Sequence, residues 1–287
     1  MEQPKKTEAI DEKEVMGRSP YFTFHASFLP ILNYHGVEKN TGEYTWQEVE
    51  KPYVLSLTTF EKQLDYLSEN GFTTLFSNQI SEWVEGVKGY EHPLVLTFDD
   101  GHLSHYEHVA PLLKRKGFKG IFFISAGLVG QNQLMNWAQL KEMVRDGFEI
   151  GSHGFRHIPL SNLTHHELWK ELQKSKKVLE DQLGIEVKVF SVPRGFYQLR
   201  VREVIMELGF RLLFTSRFDV NKRGEDPWRL NRIVIKQNTS FNNFQRFIQG
   251  NLGFKRVSER IKEGVRRFIK PSIYDSLADF KRILIRD

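Results

Sequence analysis

An α/β fold built from parallel βαβ units is predicted, on three observations. Short apolar runs alternate with longer amphipathic stretches from Phe28 to about residue 250, the spacing of strand, crossover helix and next strand. Glycines stand where each amphipathic stretch ends, at Gly71, Gly117, Gly147, Gly184 and Gly209, as helix C-cap chemistry favours. Polar clusters follow the apolar runs directly: "DDG" after "LVLTF", "HGFRH" after "FEIGS" and "PRGFY" after "VFSV". The alternation allows a closed barrel or a doubly wound sheet. The polar clusters favour the barrel, whose sites are built at the C-terminal rim of its strands, although open sheets share the tendency.

Residues 1–27 are polar and without periodicity, and read as a flexible leader. "FLPILNYHG" reads as the first strand and "TTFEKQLDYLSENGF" as a helix capped at Thr58 or Thr59. "TTLFS" and "NQISEWVEGV" follow as strand and helix. The pairs then repeat: "PLVLTFDD" with "YEHVAPLLKRKGF", "GIFFISAG" with "NWAQLKEMVRDGF", and "FEIGSH" with the long helix "HHELWKELQKSKKVLEDQLG". Thr164 and Glu167 form a T-x-x-E capping box for that helix. "VKVFSVP" leads to "LRVREVIMELGF", "RLLFTSR" comes next, and "RLNRIVIKQNTSFNNFQRFIQG" supplies a last strand and helix.

Composition sets the outer limits. A chain of 287 residues, 40% of them hydrophobic, accommodates one main barrel domain, expected over 28–250, with appendages. The absence of cysteine excludes disulfides, thiolate metal ligands and a cysteine nucleophile. The first twenty residues are charged throughout and lack the apolar core of a secretory signal, so the expectation is a soluble, cytoplasmic protein. The formal net charge is +5, and residues 251–287, with ten Lys/Arg against five Asp/Glu, carry all of it. Within that basic extension Val257, Ile261, Val265, Phe268 and Ile269 recur at helical spacing. Such a stripe either packs on its own domain or lies on anionic lipid, peripherally at the inner membrane face. Lys-rich patches such as "LLKRKGFKG" lack aromatic platforms or a recognition motif, and no nucleic-acid partner is expected.

The chemistry is concentrated in two clusters. Asp99 and Asp100 end an apolar strand, where packing asks for no adjacent like charges. His153 and His157, four residues apart with Gly154 and Pro159 around them, sit on a loop that can converge both imidazoles on one point. Two imidazoles and one carboxylate make a three-ligand metal site with open positions, and the second acid is then available as base toward a water.

"TFDDG", "SHGFRH" and "FSVPRGFY", in that order and spacing, resemble the first three motifs of the polysaccharide deacetylase (NodB-homology) family. The resemblance spans roughly residues 28–250 and extends upstream to "NYHGV" and "FEKQLDYLSENGF". It implies a distorted, incomplete (β/α) barrel and hydrolysis of an N-acyl group, usually N-acetyl, on an amino sugar. Carried over residue by residue, it makes Asp99 the catalytic base and Asp100, His153 and His157 the ligands of one divalent ion, zinc by expectation, with cobalt, nickel and manganese as alternatives. An oxyanion-binding N–H falls around Arg194 to Phe196, so Pro193, Gly195 and Phe196 border the substrate. Asp226 and Trp228 in "EDPWR" resemble the fourth motif, whose acid and Trp line the site.

Three positions depart from the pattern. Ser191 stands where the third motif commonly has the Arg that orients the base, leaving Arg194 or Arg232 to supply the charge. Gly154 replaces the Ser or Thr that braces the ligand loop. The terminal Leu-x-His is missing, since no histidine follows His166. The general acid is then sought among His35, His102 and His105, or in Asp99 returning its proton. The expected partner is an amino-sugar glycan or a lipid-linked or nucleotide-linked precursor. The rivals are a deformylase or cyclic-amide hydrolase on the same fold, and a glycan-binding pseudoenzyme.

Overall fold

The computed structural model describes residues 27–268 with the exception of Phe196. Residues 1–26 of the leader and the extension beyond Phe268 therefore lie outside the described residues. Seven strands make the principal path of the sheet: β1 (Ile31–Tyr34), β2 (Pro93–Phe98), β3 (Ile121–Ile124), β4 (Glu149–Ser152), β5 (Val189–Ser191), β6 (Leu212–Phe214) and β7 (Ile233–Val234). They run in the order β6-β5-β4-β3-β2-β1-β7, and Thr73–Thr74 adds an eighth short strand beside the start of β2. Every pairing is parallel. The two outermost strands, β6 and β7, do not pair with one another. The segment before β7 laces the gap instead: Thr215 N–H donates to Leu230 O (2.9 Å) and Arg232 N–H to Arg217 O (3.0 Å). The sheet is thus a distorted, incomplete (β/α) barrel, with the closing seam beside Arg232.

The helices are α1 (Leu57–Glu69), α2 (Ser77–Val84), α3 (Ala110–Lys116), α4 (Trp137–Arg145), α5 (His165–Leu183), α6 (Leu199–Glu207), α7 (Phe241–Ile248) and α8 (Gly253–Phe268). Alternation along the strands divides the core in two. Leu32, Tyr34, Leu96, Phe98, Phe122, Ile124, Phe190 and Leu213 pack under the helices. Ile31, Val95, Ile121, Phe123, Val189, Leu212 and Phe214 turn the other way and fill the barrel, where α2 contributes Ile80, Trp83 and Val84. Ser77 N–H at the start of α2 donates to Glu149 at the start of β4 (2.9 Å), so α2 plugs the end where the strands begin. The opposite rim stays clear for chemistry.

Local details correct three sequence expectations. The N-cap of α1 is Ser56, whose Oγ accepts from Thr59 N–H (3.1 Å), rather than either threonine. The "YEHVAPLLKRKGF" segment is not one α-helix: a π-helical turn over His105–Val109 precedes α3. Such a turn re-aims the side chains next to the acid pair. "FLPILNYHG" is also split, because Phe28–Leu29 pairs antiparallel with Asn221–Lys222 and only Ile31–Tyr34 joins the barrel. The capping box of α5 is as expected, with Glu167 N–H on Thr164 Oγ1 (3.3 Å) and Thr164 N–H on Glu167 Oε2 (2.8 Å).

Candidate active site

Strand parity determines which acid goes where. Asp99 continues the inward series of Val95 and Thr97 and is buried inside the barrel mouth, 3% exposed. On an uninterrupted strand Asp100 would turn outward among the helices. It takes instead the left-handed conformation (φ 76°), followed by Gly101 at the same φ, so the chain turns and Asp100 stays at the rim. A non-glycine residue in that region costs about 1–2 kcal/mol, and such strain is held where surrounding structure enforces it.

Asp99 is gripped by Arg232, a fully buried guanidinium entering from the barrel seam. Nη1 donates to Oδ1 (2.7 Å) and Nη2 to Oδ2 (2.8 Å), a two-pronged fit of planar fork to planar carboxylate. The guanidinium is itself fixed by Thr215 O on Nε (2.9 Å) and Ser191 Oγ on Nη2 (2.8 Å). Asn33 adds an amide hydrogen bond to Asp99 Oδ2 (3.1 Å). Burial opposes ionisation of Asp99, but the charges of Arg232 and His153 outweigh it and hold the carboxyl down at about 2. Of the two arginines the sequence offered to orient the base, Arg232 takes the place. Arg194 is solvent-exposed, in a left-handed conformation (φ 57°), and its charge acts on His157. Ser191, small where an arginine was expected, leaves room for the guanidinium arriving from the other side of the barrel.

Asp100, His153 and His157 converge, each offering one donor atom within 4.8 Å of the others. His157 Nε2 lies 3.0 Å and His153 Nε2 3.3 Å from Asp100 Oδ1. His153 Nδ1 is 2.8 Å from Ser191 O, which can only accept, so Nδ1 carries the proton and the Nε2 lone pair faces Asp100. Burial disfavours charge on Asp100, yet the neighbouring His157 keeps it well below the usual carboxylate range. Burial likewise lowers His157, and Asp100 more than reverses this.

The ligand loop is braced from α5, which makes up for Gly154. Buried Glu171 accepts from Phe155 N–H (3.0 Å), Arg156 N–H (2.7 Å) and Arg156 Nε (2.8 Å), while Ser175 Oγ donates to Gly154 O (2.8 Å). The loop is also laced to the turn after β3, with Ala126 N–H on Gly154 O (3.0 Å) and Gly127 N–H on Phe155 O (2.9 Å). Glu171→Gln keeps the volume but replaces one acceptor oxygen with a donor against those N–H groups. We expect a loss of about 2 kcal/mol in chemical denaturation with unchanged secondary structure by circular dichroism.

The other candidates fall at graded distances from this centre. His35 follows β1 half-buried, its ring 5.0 Å from Tyr53. Its Nδ1 is buried without a hydrogen-bond partner among the described residues. Burial lowers the pKa of His35, opposed by the charges of Asp100 and Asp99. His102 accepts Ser104 N–H on Nδ1 (3.1 Å) and lies against Trp46 (4.1 Å between centroids), and burial pushes it down to about 3. His105 is wholly buried, hydrogen-bonded through Nε2 to His35 O, and sits at about 4 for the same reason. Pro193 is buried and Gly195 half-buried in the loop after β5, with Pro193 packed near Gly154; Phe196 is outside the described residues. Asp226 is committed elsewhere, to Trp228 N–H (3.0 Å) and Arg202 (2.8 Å), and Trp228 packs half-buried on the sheet–helix core.

Residues absent from the sequence reading are Asn33, Glu171, Ser175 and the paired roles of Ser191. Asn33 had a signal, a polar residue at an inward position of the apolar run "ILNY". Glu171 and Ser175 had none, because a helix face shows in sequence only its apolar period.

With this geometry established, comparison with known proteins gives a consistent picture. Residues 86–213 match the family model described as polysaccharide deacetylase. Among curated proteins, YxkH of Bacillus subtilis (strain 168), provisionally named a polysaccharide deacetylase, is 26% identical, over 85% of this chain and 85% of its own length. A poly-beta-1,6-N-acetyl-D-glucosamine N-deacetylase of Staphylococcus aureus (strain COL) is 25% identical, over 79% of this chain and 84% of its own. Among solved structures, IcaB from Ammonifex degensii superposes with a TM-score of 0.67 at 26% identity, covering 79% of this chain and 98% of that one. The Streptococcus pyogenes deacetylase PplD shares the fold, with a TM-score of 0.69 at 23% identity, over 77% of this chain and 98% of its own.

Proposed function

We propose, from the premise that this chain belongs to the polysaccharide deacetylase (NodB-homology) family, that it is a metal-dependent hydrolase removing N-acetyl groups from an amino-sugar glycan. The observation that carries the reading is the division of the acid pair. Asp100 is turned toward the His153 Nε2 lone pair and the His157 ring, while Asp99, one residue away, is gripped by Arg232 and stands 4.0 Å from His153 Nε2. Asp100 Oδ1 is buried without a hydrogen bond of its own, although two imidazole nitrogens stand within 3.3 Å of it. The His153 Nε2 lone pair and Asp100 Oδ1, aimed at one another at 3.3 Å, repel unless a cation lies between them. The donor set, two imidazoles and one carboxylate, fits zinc and equally cobalt, nickel or manganese. Such an ion supplies polarisation of the acyl carbonyl and acidification of the attacking water.

The chain's own groups do the rest. The Arg232 fork and Asn33 fix the Asp99 carboxylate in one orientation, so that it takes the water proton without a rotamer search. Ser191 O fixes the His153 tautomer. His35 is the reading for the group that protonates the leaving nitrogen. It is the half-buried one of the three candidate histidines, whereas His102 and His105 are buried; burial lowers all three, so exposure toward the rim is what distinguishes His35. His35→Asn should retain the metal and lower turnover about a hundredfold, with the loss concentrated in kcat. The relative from Staphylococcus aureus, named for poly-beta-1,6-N-acetyl-D-glucosamine, supports a β-linked N-acetylglucosamine polymer as substrate. No observation on the described residues favours a small-molecule substrate or a mere binding role.

The test is metal content together with acetate release from β-1,6-linked N-acetylglucosamine oligomers. Wild type should hold one divalent ion and release acetate, and His153→Ala should lose both. Wild type that takes up no ion when one is supplied would overturn the reading.

A further inference from the structure

Over its first turns, to Ile261, the helix α8 has described polar side chains on the protein and apolar ones in solvent, the reverse of an ordinary amphipathic helix. Arg256 pairs with buried Asp219 (Nε 2.9 Å, Nη2 2.7 Å). Lys255 lies over the rings of Phe247 (4.6 Å) and Phe218 (5.2 Å). On the outward side Phe254 is 93%, Val257 55% and Ile261 63% exposed. These three are spaced three and four apart, on one face of the helix, and Val265 and Phe268 continue the same spacing in the sequence. Of the two expectations for this stripe, packing on its own domain is therefore corrected for Val257 and Ile261.

A stripe of that size in water needs a cover, and the charge around it indicates which. Within Gly253–Phe268 six Lys/Arg stand against two Glu. We infer that α8 is an interfacial helix that docks the protein on an anionic lipid surface. Phe254, Val257 and Ile261 enter the acyl boundary, and the net positive charge of the helix sequence favours an anionic surface. A self-associating face would bring those like charges together in a second copy, whereas an anionic bilayer neutralises them. Glu259 of α8 and Gly195 and Tyr197 of the loop after β5 line one depression, so the docked helix would hold that loop close to the lipid surface. No described helix is long and apolar enough to cross a membrane, so contact through α8 is peripheral.

Flotation of the full chain with vesicles tests this. Vesicles of phosphatidylcholine alone are compared with vesicles containing phosphatidylglycerol, at physiological and at high salt. The expected result is flotation with the anionic vesicles alone, weakened by salt. The triple variant Phe254→Ser, Val257→Ser, Ile261→Ser should bind on the order of a hundredfold more weakly, with unchanged thermal unfolding, since these side chains are exposed. Full-length protein that stays behind with anionic vesicles, or a triple variant that floats as wild type does, overturns the inference. A dimer of wild type that the triple variant converts to monomer, without vesicle binding by either, overturns it in favour of an interface between copies.

Discussion

Asp99→Asn is expected to lower deacetylation by about a thousandfold or more while the metal content stays at one ion per chain. The asymmetry follows from the division of the acid pair: Asp100 is turned among the imidazoles, and Asp99 is gripped by Arg232. Asparagine matches aspartate in shape and can still accept from Arg232, but it cannot take a proton from water. The same change leaves a guanidinium in a fully buried place without its counter-charge, so stability should fall by about 3 kcal/mol. Both readouts are needed, because lost activity in an unfolded variant would say nothing about a base. Denaturant midpoints, metal analysis and acetate release on one preparation separate the two. Wild-type turnover in a folded, metal-loaded Asp99→Asn protein would remove Asp99 from the chemistry.

Arg232→Met tests the other half of the pair and should be the more destabilising change. Methionine fills much of the channel but leaves Asp99, 3% exposed, with Asn33 and Ser191 as its remaining hydrogen-bond donors. Breaking a buried pair from one side costs about 3–5 kcal/mol at neutral pH. The pH dependence identifies the cause. In the wild type the folded carboxyl is held at about 2, below the ordinary value of about 3.9. Its ionic contribution to stability is therefore fully present above about 4 and disappears as pH falls through 2. In Arg232→Met the guanidinium no longer offsets burial, so the carboxyl titrates higher and the variant lacks that acid-labile contribution. The two stability curves should converge as pH drops from about 4 toward 2, measured on chelator-treated protein so that metal release does not enter. A gap that stays constant through that range would mean that Arg232 acts by packing alone. Arg232→Lys should recover part of the stability but little activity, because an ammonium cannot reproduce the two-pronged grip that orients the base.

The division of labour between chain and fold can be read from these residues. Local chemistry was legible where it depends on neighbours in sequence. The strand-helix alternation, the Thr164–Glu167 capping box and the loop placement of the two histidines follow from periodicity and local sequence, and the resemblance to polysaccharide deacetylases from motif order. The barrel rim itself was legible because polar clusters followed apolar runs at three separate places. The cap of α1, the π-helical turn over His105–Val109 and the left-handed turn at Asp100 were not. Each depends on a choice between nearly equal local conformations that tertiary packing decides.

The identity of the orienting arginine was beyond the sequence for a different reason. Arg232 and Asp99 are separated by 133 residues, and their meeting depends on β7 pairing with β1 at one open end of the sheet, which puts the seam opposite the acid. The same holds for Glu171, which reaches the ligand loop because α5 packs across β4. The inverted mounting of the first turns of α8 completes the list. Its apolar stripe was plain in the sequence, but the side it faces is determined by Arg256 finding Asp219. Periodicity specifies that a helix has two faces, and long-range contacts specify which of them meets the protein.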